Sequence, residues 1–160
     1  MALQAEAFSW HRDQLQDRWN DYGRPTRLTI ARGALFSAGD LVQVERVREV
    51  ARKAVLARME ELGVEILVSP TTGYAATPFT GADRSATSLA AMHTPAWNST
   101  GFPALSVPMG FDQDGLPCGL QIIGRPFQDQ AVLQLGHRYQ ELTEWHRQVP
   151  VHHADLLSDE

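Results

Sequence analysis

Apolar residues recur at helical spacing in three stretches of the chain. Shorter stripes predict flanking helices near 2–20 and 129–145, and the clearest stripe predicts a helix over 40–62. Ser37 or Asp40 can cap the start of this middle helix, and Gly63 can end it. Residues 24–39 show no such period, so we expect an irregular segment there. The middle stripe is broad, which is typical of a helix that lies on a sheet, and it comprises Leu41, Val44, Val47, Ala51, Ala54, Val55, Met59 and Leu62.

Between the last two helices the pattern changes to short apolar runs. Residues 66–68 predict a buried strand that ends at Pro70, and residues 104–111 and 116–123 predict two more. The turn residues 112–115 include Gly115, which can supply positive φ, so we expect a β-hairpin at 104–123. Thr94 followed by Pro95 predicts a short helix. The fold class is α/β, but three strands are few for such wide helical faces, which indicates that part of the fold is missing.

Composition and charge exclude several classes of protein. The formal net charge is -5, whereas a protein that binds a nucleic-acid backbone needs a basic face. Cys118 is the only cysteine, so an intramolecular disulfide is impossible. Neither a signal peptide nor an apolar run of membrane-spanning length is found in the sequence. We therefore expect a cytoplasmic protein with no nucleic-acid or membrane partner.

The middle of the chain resembles the amidase-signature family. The run at 98–108 is similar to the family's Asn-x-x-Gly-x-Pro-Ala-x-x-x-Pro segment. The run at 114–124 matches its Gly-Leu-Pro-x-Gly-Leu-Gln-x-x-Gly segment. The run at 66–72 looks like the family's strand that ends in a Pro-Thr turn, and Thr143 to His146 resemble the family's ending. The resemblance covers almost all of the chain and is densest from Asn98 to Gly124.

This resemblance implies a fold, a reaction and a missing part. The fold would be part of a large mixed sheet covered by helices, and the reaction would be hydrolysis of carbon–nitrogen amide bonds. Family members use a Ser–Ser–Lys set that precedes the portion matched here. Lys53, the only lysine, has the surroundings of a solvated helix residue. No serine here is adjacent to another or sits in a catalytic loop motif, and the serines are Ser9, Ser37, Ser69, Ser85, Ser88, Ser99, Ser106 and Ser158.

Part of a substrate pocket can still lie in this chain. The loop from Thr71 to Thr80 follows the first strand, and ligands commonly bind beyond strand ends in α/β sheets. Local turn chemistry is the competing interpretation of these residues. Our candidates to face the pocket are Thr71, Thr72, Tyr74, His93, Trp97 and Asn98.

The remaining chemical signals are weak. His152, His153 and Asp155 stand in a polar tail, and Cys118 has no base beside it in the sequence. We therefore predict no catalytic residue, no metal and no cofactor in this chain.

Several interpretations of the function stay open. The main one is the C-terminal fragment of an amidase, with residues 1–149 in an incomplete domain and 150–160 as a polar tail, inactive alone. It would take a small-molecule amide only when an upstream catalytic half complements it. The alternatives are the downstream half of a split amidase or amidotransferase, a non-catalytic binding or scaffold module, and a small hydrolase using His93 or Cys118. Missing strands would leave exposed edges and apolar patches, so we expect self-association or a partner chain.

Overall fold

A computed structural model describes residues 1–76 and 92–149, which fall into two compact units that meet between Ala54 and Val55. The first unit is helical throughout. Helix α1 spans Ala2–Asp17, α2 spans Arg24–Ala31, and α3 begins at Ala38 and ends at Glu61 in the second unit. Short 3₁₀ turns follow α1 and α2, at Trp19–Asp21 and Arg32–Leu35.

Helix α2 corrects the expectation of an irregular segment over 24–39. Pro25 lies in the first turn of this helix, where a residue without an N–H group removes no intrahelical hydrogen bond. The helix has only 8 residues, too few for a periodic pattern to stand out. Helix α1 also ends earlier than predicted, at Asp17, and its Leu3 is exposed.

Close approach of backbone to backbone holds the first unit together. Leu15 of α1 and Ile30 of α2 are its buried apolar side chains. A side chain at Gly33 would overlap the carbonyl oxygen of Gln4 and come within 2.6 Å of Phe8 Cβ. Glycine at position 33 therefore lets the second 3₁₀ turn pack directly on α1.

Both predicted caps of α3 are confirmed. Asp40 N–H donates to Ser37 Oγ at 3.1 Å, and Ser37 N–H donates to Asp40 Oδ2 at 2.8 Å, which is a reciprocal capping box. At the other end Gly63 has a φ of 64°. Val64 N–H then reaches back to the Met59 carbonyl at 2.9 Å, as in a Schellman motif.

Three antiparallel strands form the sheet of the second unit. They are β1 (Ile66–Pro70), β2 (Ala104–Phe111) and β3 (Pro117–Gly124), in the order β1-β3-β2. The hairpin between β2 and β3 is confirmed, with Gly115 at a φ of 76°. The pairings of this described part are all antiparallel, whereas a portion of a mixed sheet was expected.

Helices cover both faces of this sheet. Helix α4 spans Pro95–Thr100, as predicted, and α5 spans Asp129–Glu141. On one face Ile123 packs with Met59 of α3 and with Phe102. On the other face Ile122 and Val107 pack with Val132 of α5. The alternation of Ile122 and Ile123 between two cores explains why β3 is apolar at successive positions.

The expected stripe of α3 is only partly covered. Met59 is buried, but Val47 and Leu62 of the predicted stripe are 58% and 53% exposed. Val68 of β1 is exposed as well, so the prediction of a buried strand at 66–68 was wrong for that residue. None of the described helices is long and apolar enough to cross a membrane. The predicted tail at 150–160 lies outside the described residues, as do residues 77–91.

Candidate functional site

One face of the sheet changes from apolar to polar along its strands. Side chains of alternate residues share a face, so Ile123 and Gln121 of β3 point the same way. Gln121 is opposite Ser69 of β1 and Ser106 of β2 in the register. Thr71, one residue beyond β1, lies beside Ser106. We call Ser69, Thr71, Ser106 and Gln121 the polar strip.

Gln121 is the buried centre of the polar strip, with only 3% of its surface exposed. Its Oε1 accepts a hydrogen bond from Trp97 Nε1 at 3.0 Å and one from Ser69 Oγ at 3.4 Å. A buried amide without partners would cost free energy. Gln121 is therefore satisfied by residues from α4 and β1, and it fixes the indole of Trp97 relative to the sheet.

A pair of hydroxyl groups forms the outer end of the strip. Thr71 Oγ1 and Ser106 Oγ are 2.6 Å apart, and Thr71 N–H donates to the Gly119 carbonyl at 2.8 Å. A Cβ atom at Gly119 would lie 2.9 Å from Thr71 Oγ1 and 3.0 Å from Ser106 Oγ. The missing side chain at position 119 leaves the space in which these hydroxyls meet.

His93 is held against the end of β1 by two hydrogen bonds. Its N–H donates to the Thr71 carbonyl at 3.1 Å, and its ring Nδ1 is 2.9 Å from the Pro70 carbonyl. The preceding residue, Met92, forms an isolated antiparallel bridge with Thr72. The imidazole is exposed to solvent, yet its position is set by the main chain on both sides.

The predicted pocket residues are brought together only in part. Thr71 and His93 are in direct contact, and Trp97 is linked to them through Gln121 and the sheet. Thr72 donates to the Tyr74 carbonyl at 2.8 Å, which is the local turn chemistry that we had set against a pocket role. Tyr74 and Asn98 are exposed, and among the described residues no side-chain hydrogen bond of Asn98 joins the group.

Sequence reasoning missed Ser69, Ser106 and Gln121 as members of this site. Gln121 and Ser106 belong to the two motifs that carry the family resemblance, which was the available signal. What the sequence could not give was the register, since three separate strands place these side chains in one row.

The chemistry of the strip is hydrogen bonding without a base. A serine or threonine hydroxyl is a weak nucleophile unless a base takes its proton. Among the described residues neither Thr71 Oγ1 nor Ser106 Oγ has a hydrogen bond to a lysine, histidine or carboxylate side chain. Cys118 is half-buried, and its Sγ lies 3.8 Å from the Leu116 carbonyl, which is no base. The described residues also contain no group of three potential metal ligands.

Two carboxyl groups with lowered pKa values belong to α3, not to the polar strip. The backbone N–H of Ser37, followed by its hydroxyl, lowers the pKa of Asp40. Hydrogen bonds from Arg52 and then Lys53 lower the pKa of Glu49. In both cases hydrogen bonds within α3 or its cap stabilise the ionised carboxylate, so the lowered pKa values belong to the structure of the helix.

Comparison with known proteins identifies the family to which this chain belongs. The amidase family model matches residues 5–133. This chain belongs to the amidase family.

Individual relatives agree with that assignment. The chain is 38% identical to a glutamyl-tRNA(Gln) amidotransferase subunit of Chloroflexus aurantiacus over 140 residues, 84% of this chain and 28% of that protein. It is 36% identical to the subunit of the same name from a Synechococcus species over 126 residues, 76% of this chain and 26% of that protein. The chain thus spans about a quarter of the length of the curated relatives that it matches.

Solved structures show the same fold. An amidase crystal structure aligns with a TM-score of 0.69 at 23% identity, over 83% of this chain and 32% of that one. The allophanate hydrolase of Kluyveromyces lactis aligns with a TM-score of 0.68 at 27% identity, over 89% of this chain and 23% of that one. The α/β fold expected from the sequence is confirmed by these neighbours.

Proposed function

We propose that these 160 residues form one wall of an amide-hydrolysing site whose nucleophile is supplied from outside them. The polar strip is the observation that supports this most directly. It presents hydroxyl groups held in fixed positions by a buried amide and by the missing side chain at Gly119. Such groups orient a polar ligand, but without a base they do not attack it.

The proposal assigns no catalytic residue to this chain. In the amidase-signature family that the sequence resembles, the Ser–Ser–Lys set precedes the matched portion. Alone, the chain is then inactive, and a small-molecule amide is hydrolysed only when an upstream half completes the site. The name of the curated relatives, which are amidotransferase subunits, supports an assembly with partner chains. The single half-buried thiol, Cys118, suits a reducing cytoplasm.

The test is hydrolysis of a small panel of aryl and aliphatic amides by the purified chain, alone and mixed with the upstream three quarters of the Chloroflexus aurantiacus relative. We expect no turnover by the chain alone and measurable turnover by the mixture. In the mixture, the double variant Thr71→Val with Ser106→Ala should lower kcat/KM roughly tenfold for each hydrogen bond to substrate that is lost. Such a bond contributes about 1.4 kcal/mol, which corresponds to a factor of about ten in rate. Gln134→Met, an exposed change on α5, serves as the control.

Two results would overturn the proposal. Turnover by the chain alone, abolished by Ser106→Ala or Cys118→Ala, would mean that a nucleophile lies within these residues. A mixture that assembles but hydrolyses none of the amides would favour the scaffold interpretation.

A further inference from the structure

The imidazole of His93 has one ring nitrogen committed to the protein. Its Nδ1 is 2.9 Å from the carbonyl oxygen of Pro70. A carbonyl oxygen only accepts hydrogen bonds, so Nδ1 must carry the hydrogen. In the neutral ring Nε2 is then a lone-pair acceptor.

The other ring nitrogen has no hydrogen-bond partner among the described residues. His93 is exposed, and within residues 1–76 and 92–149 the structure gives a side-chain hydrogen bond only to Nδ1. The ring cannot turn to offer Nδ1 instead without losing its bond to Pro70. The backbone hydrogen bond from His93 to Thr71 holds the residue in the same place.

The Thr72 hydroxyl next to His93 also has a committed hydrogen. Thr72 donates its hydroxyl hydrogen to the Tyr74 carbonyl at 2.8 Å, so its oxygen offers lone pairs to any further partner. Thr71 Oγ1 and Ser106 Oγ are 2.6 Å apart, so one of their two hydroxyl hydrogens is donated between them and the other remains a donor. Two neighbouring atoms of the turn after β1, His93 Nε2 and Thr72 Oγ1, therefore offer lone pairs, and they complement a ligand that brings its own N–H donor.

We propose that His93 is a specificity-determining residue whose Nε2 accepts the N–H of a primary or secondary carboxamide. The inference rests on the proposed function, since it names the amides that the wall admits. A primary amide brings an N–H donor for Nε2, whereas a fully substituted amide leaves Nε2 without a partner. Sites that hydrogen-bond a substrate group discriminate against analogues that lack it.

The experiment compares two ligands that share a phenyl ring and a carbonyl group. The full chain, with ¹⁵N-labelled histidine, is titrated with benzamide and with N,N-dimethylbenzamide, and the ring nitrogens are followed by NMR. We expect His93 to be the Nδ1–H tautomer in the free chain. Benzamide should shift its Nε2 resonance, and the dimethyl compound should leave that resonance in place.

Two matched variants separate recognition from folding. His93→Asn keeps an amide donor for the Pro70 carbonyl but has no atom equivalent to Nε2. It should bind benzamide roughly three- to tenfold more weakly, the range expected for one partly exposed hydrogen bond. His137→Asn, which changes an exposed histidine of α5, should bind benzamide as the unaltered chain does.

Four results would overturn the assignment: an Nε2–H tautomer in the free chain, equal response to both amides, no response to either, or unchanged benzamide binding by His93→Asn. Benzamide binding is measured on the chain alone, so its outcome does not depend on the hydrolysis test. A mixture without turnover would refute the proposed function while leaving the benzamide shift in place.

Discussion

At the scale of single residues, Gln121 shows how a buried polar group can organise a surface. Its amide is enclosed by the sheet, and its Oε1 accepts hydrogen bonds from Trp97 and Ser69. Beyond Gln121 the same face carries the Thr71 and Ser106 hydroxyls. A residue that satisfies hydrogen bonds inside the protein thus sets the positions of groups that a ligand could meet.

Replacing Gln121 with Met tests how much its hydrogen bonds contribute to the free energy of unfolding. The Trp97 N–H would lose its acceptor in a partly buried position, so we expect a loss of about 1–3 kcal/mol in the free energy of unfolding. Trp97→Phe removes the donor, and the double variant should lose less than the sum of the two single variants. Urea denaturation measures all three. Losses that add to within about 0.5 kcal/mol would show that the two side chains are energetically independent.

The sequence carried the motif of Gln121 but not its role. Composition and period place residue 121 on a strand, and the family resemblance marks it as part of a familiar run. The burial of Gln121, however, follows from the packing of α3 and α4 on its face of the sheet, and both helices are distant from it in the sequence. His93 is a similar case, since the 23-residue separation between its ring and Pro70 is closed only by the folded chain.

At the scale of elements, α3 shows which features a sequence does predict. Ser37, Asp40 and Gly63 were identified as caps because capping depends on residues within one turn of the helix end. Its apolar stripe was assigned to a single face. Val50, which the predicted stripe leaves out, is about two and a half turns from Met59 and therefore lies on the opposite side of the helix. Only the Met59 side is covered by described residues.

The capping box of α3 gives a pH-dependent prediction. Hydrogen bonds from Ser37 lower the pKa of Asp40 from its ordinary value of 3.8. The ionised carboxylate therefore stabilises the folded chain above pH 3.8, and this contribution is lost as the pH falls through the lower, folded-state pKa. The melting temperature of Asp40→Asn should lie below that of the unaltered chain at neutral pH, and the gap should narrow in acid.

Thermal unfolding followed by circular dichroism from neutral pH into strong acid tests this prediction. Ser37→Ala, which removes the other half of the box, should cost about 1 kcal/mol at neutral pH. A melting-temperature gap for Asp40→Asn that stays constant down to the most acidic condition would contradict a role for the charge.

At the scale of the whole molecule, apolar side chains remain uncovered in the described residues. Val42, Val47 and Val50 of α3 are 53%, 58% and 68% exposed, and Phe127, just before α5, is 97% exposed. A helix with apolar residues on two sides normally lies between two layers. The chain spans about a quarter of its relatives' length, and the uncovered faces support our proposal that further protein completes the fold.

Charged residues on this uncovered face should weaken association. We expect the purified chain to self-associate at high concentration, and Val42→Glu with Val50→Glu to shift it toward the monomer, because a carboxylate buried in an apolar contact is strongly unfavourable. Sedimentation velocity measures the change. Gln134→Glu, which adds a carboxylate at an exposed position of α5 instead, is the control. A monodisperse monomer for the unaltered chain at high concentration would contradict self-association.

The continuity of α3 also limits how this gene could be recombined. The two compact units meet between Ala54 and Val55, inside a helix and not in a loop. A gene that began at Val55 would keep only the last two turns of that helix, too few to stay helical by themselves. It would thereby lose the support that carries Met59 into the core of the sheet. Exchanges between related genes that preserve the fold should therefore have their crossover points before Ser37 or after Gly63.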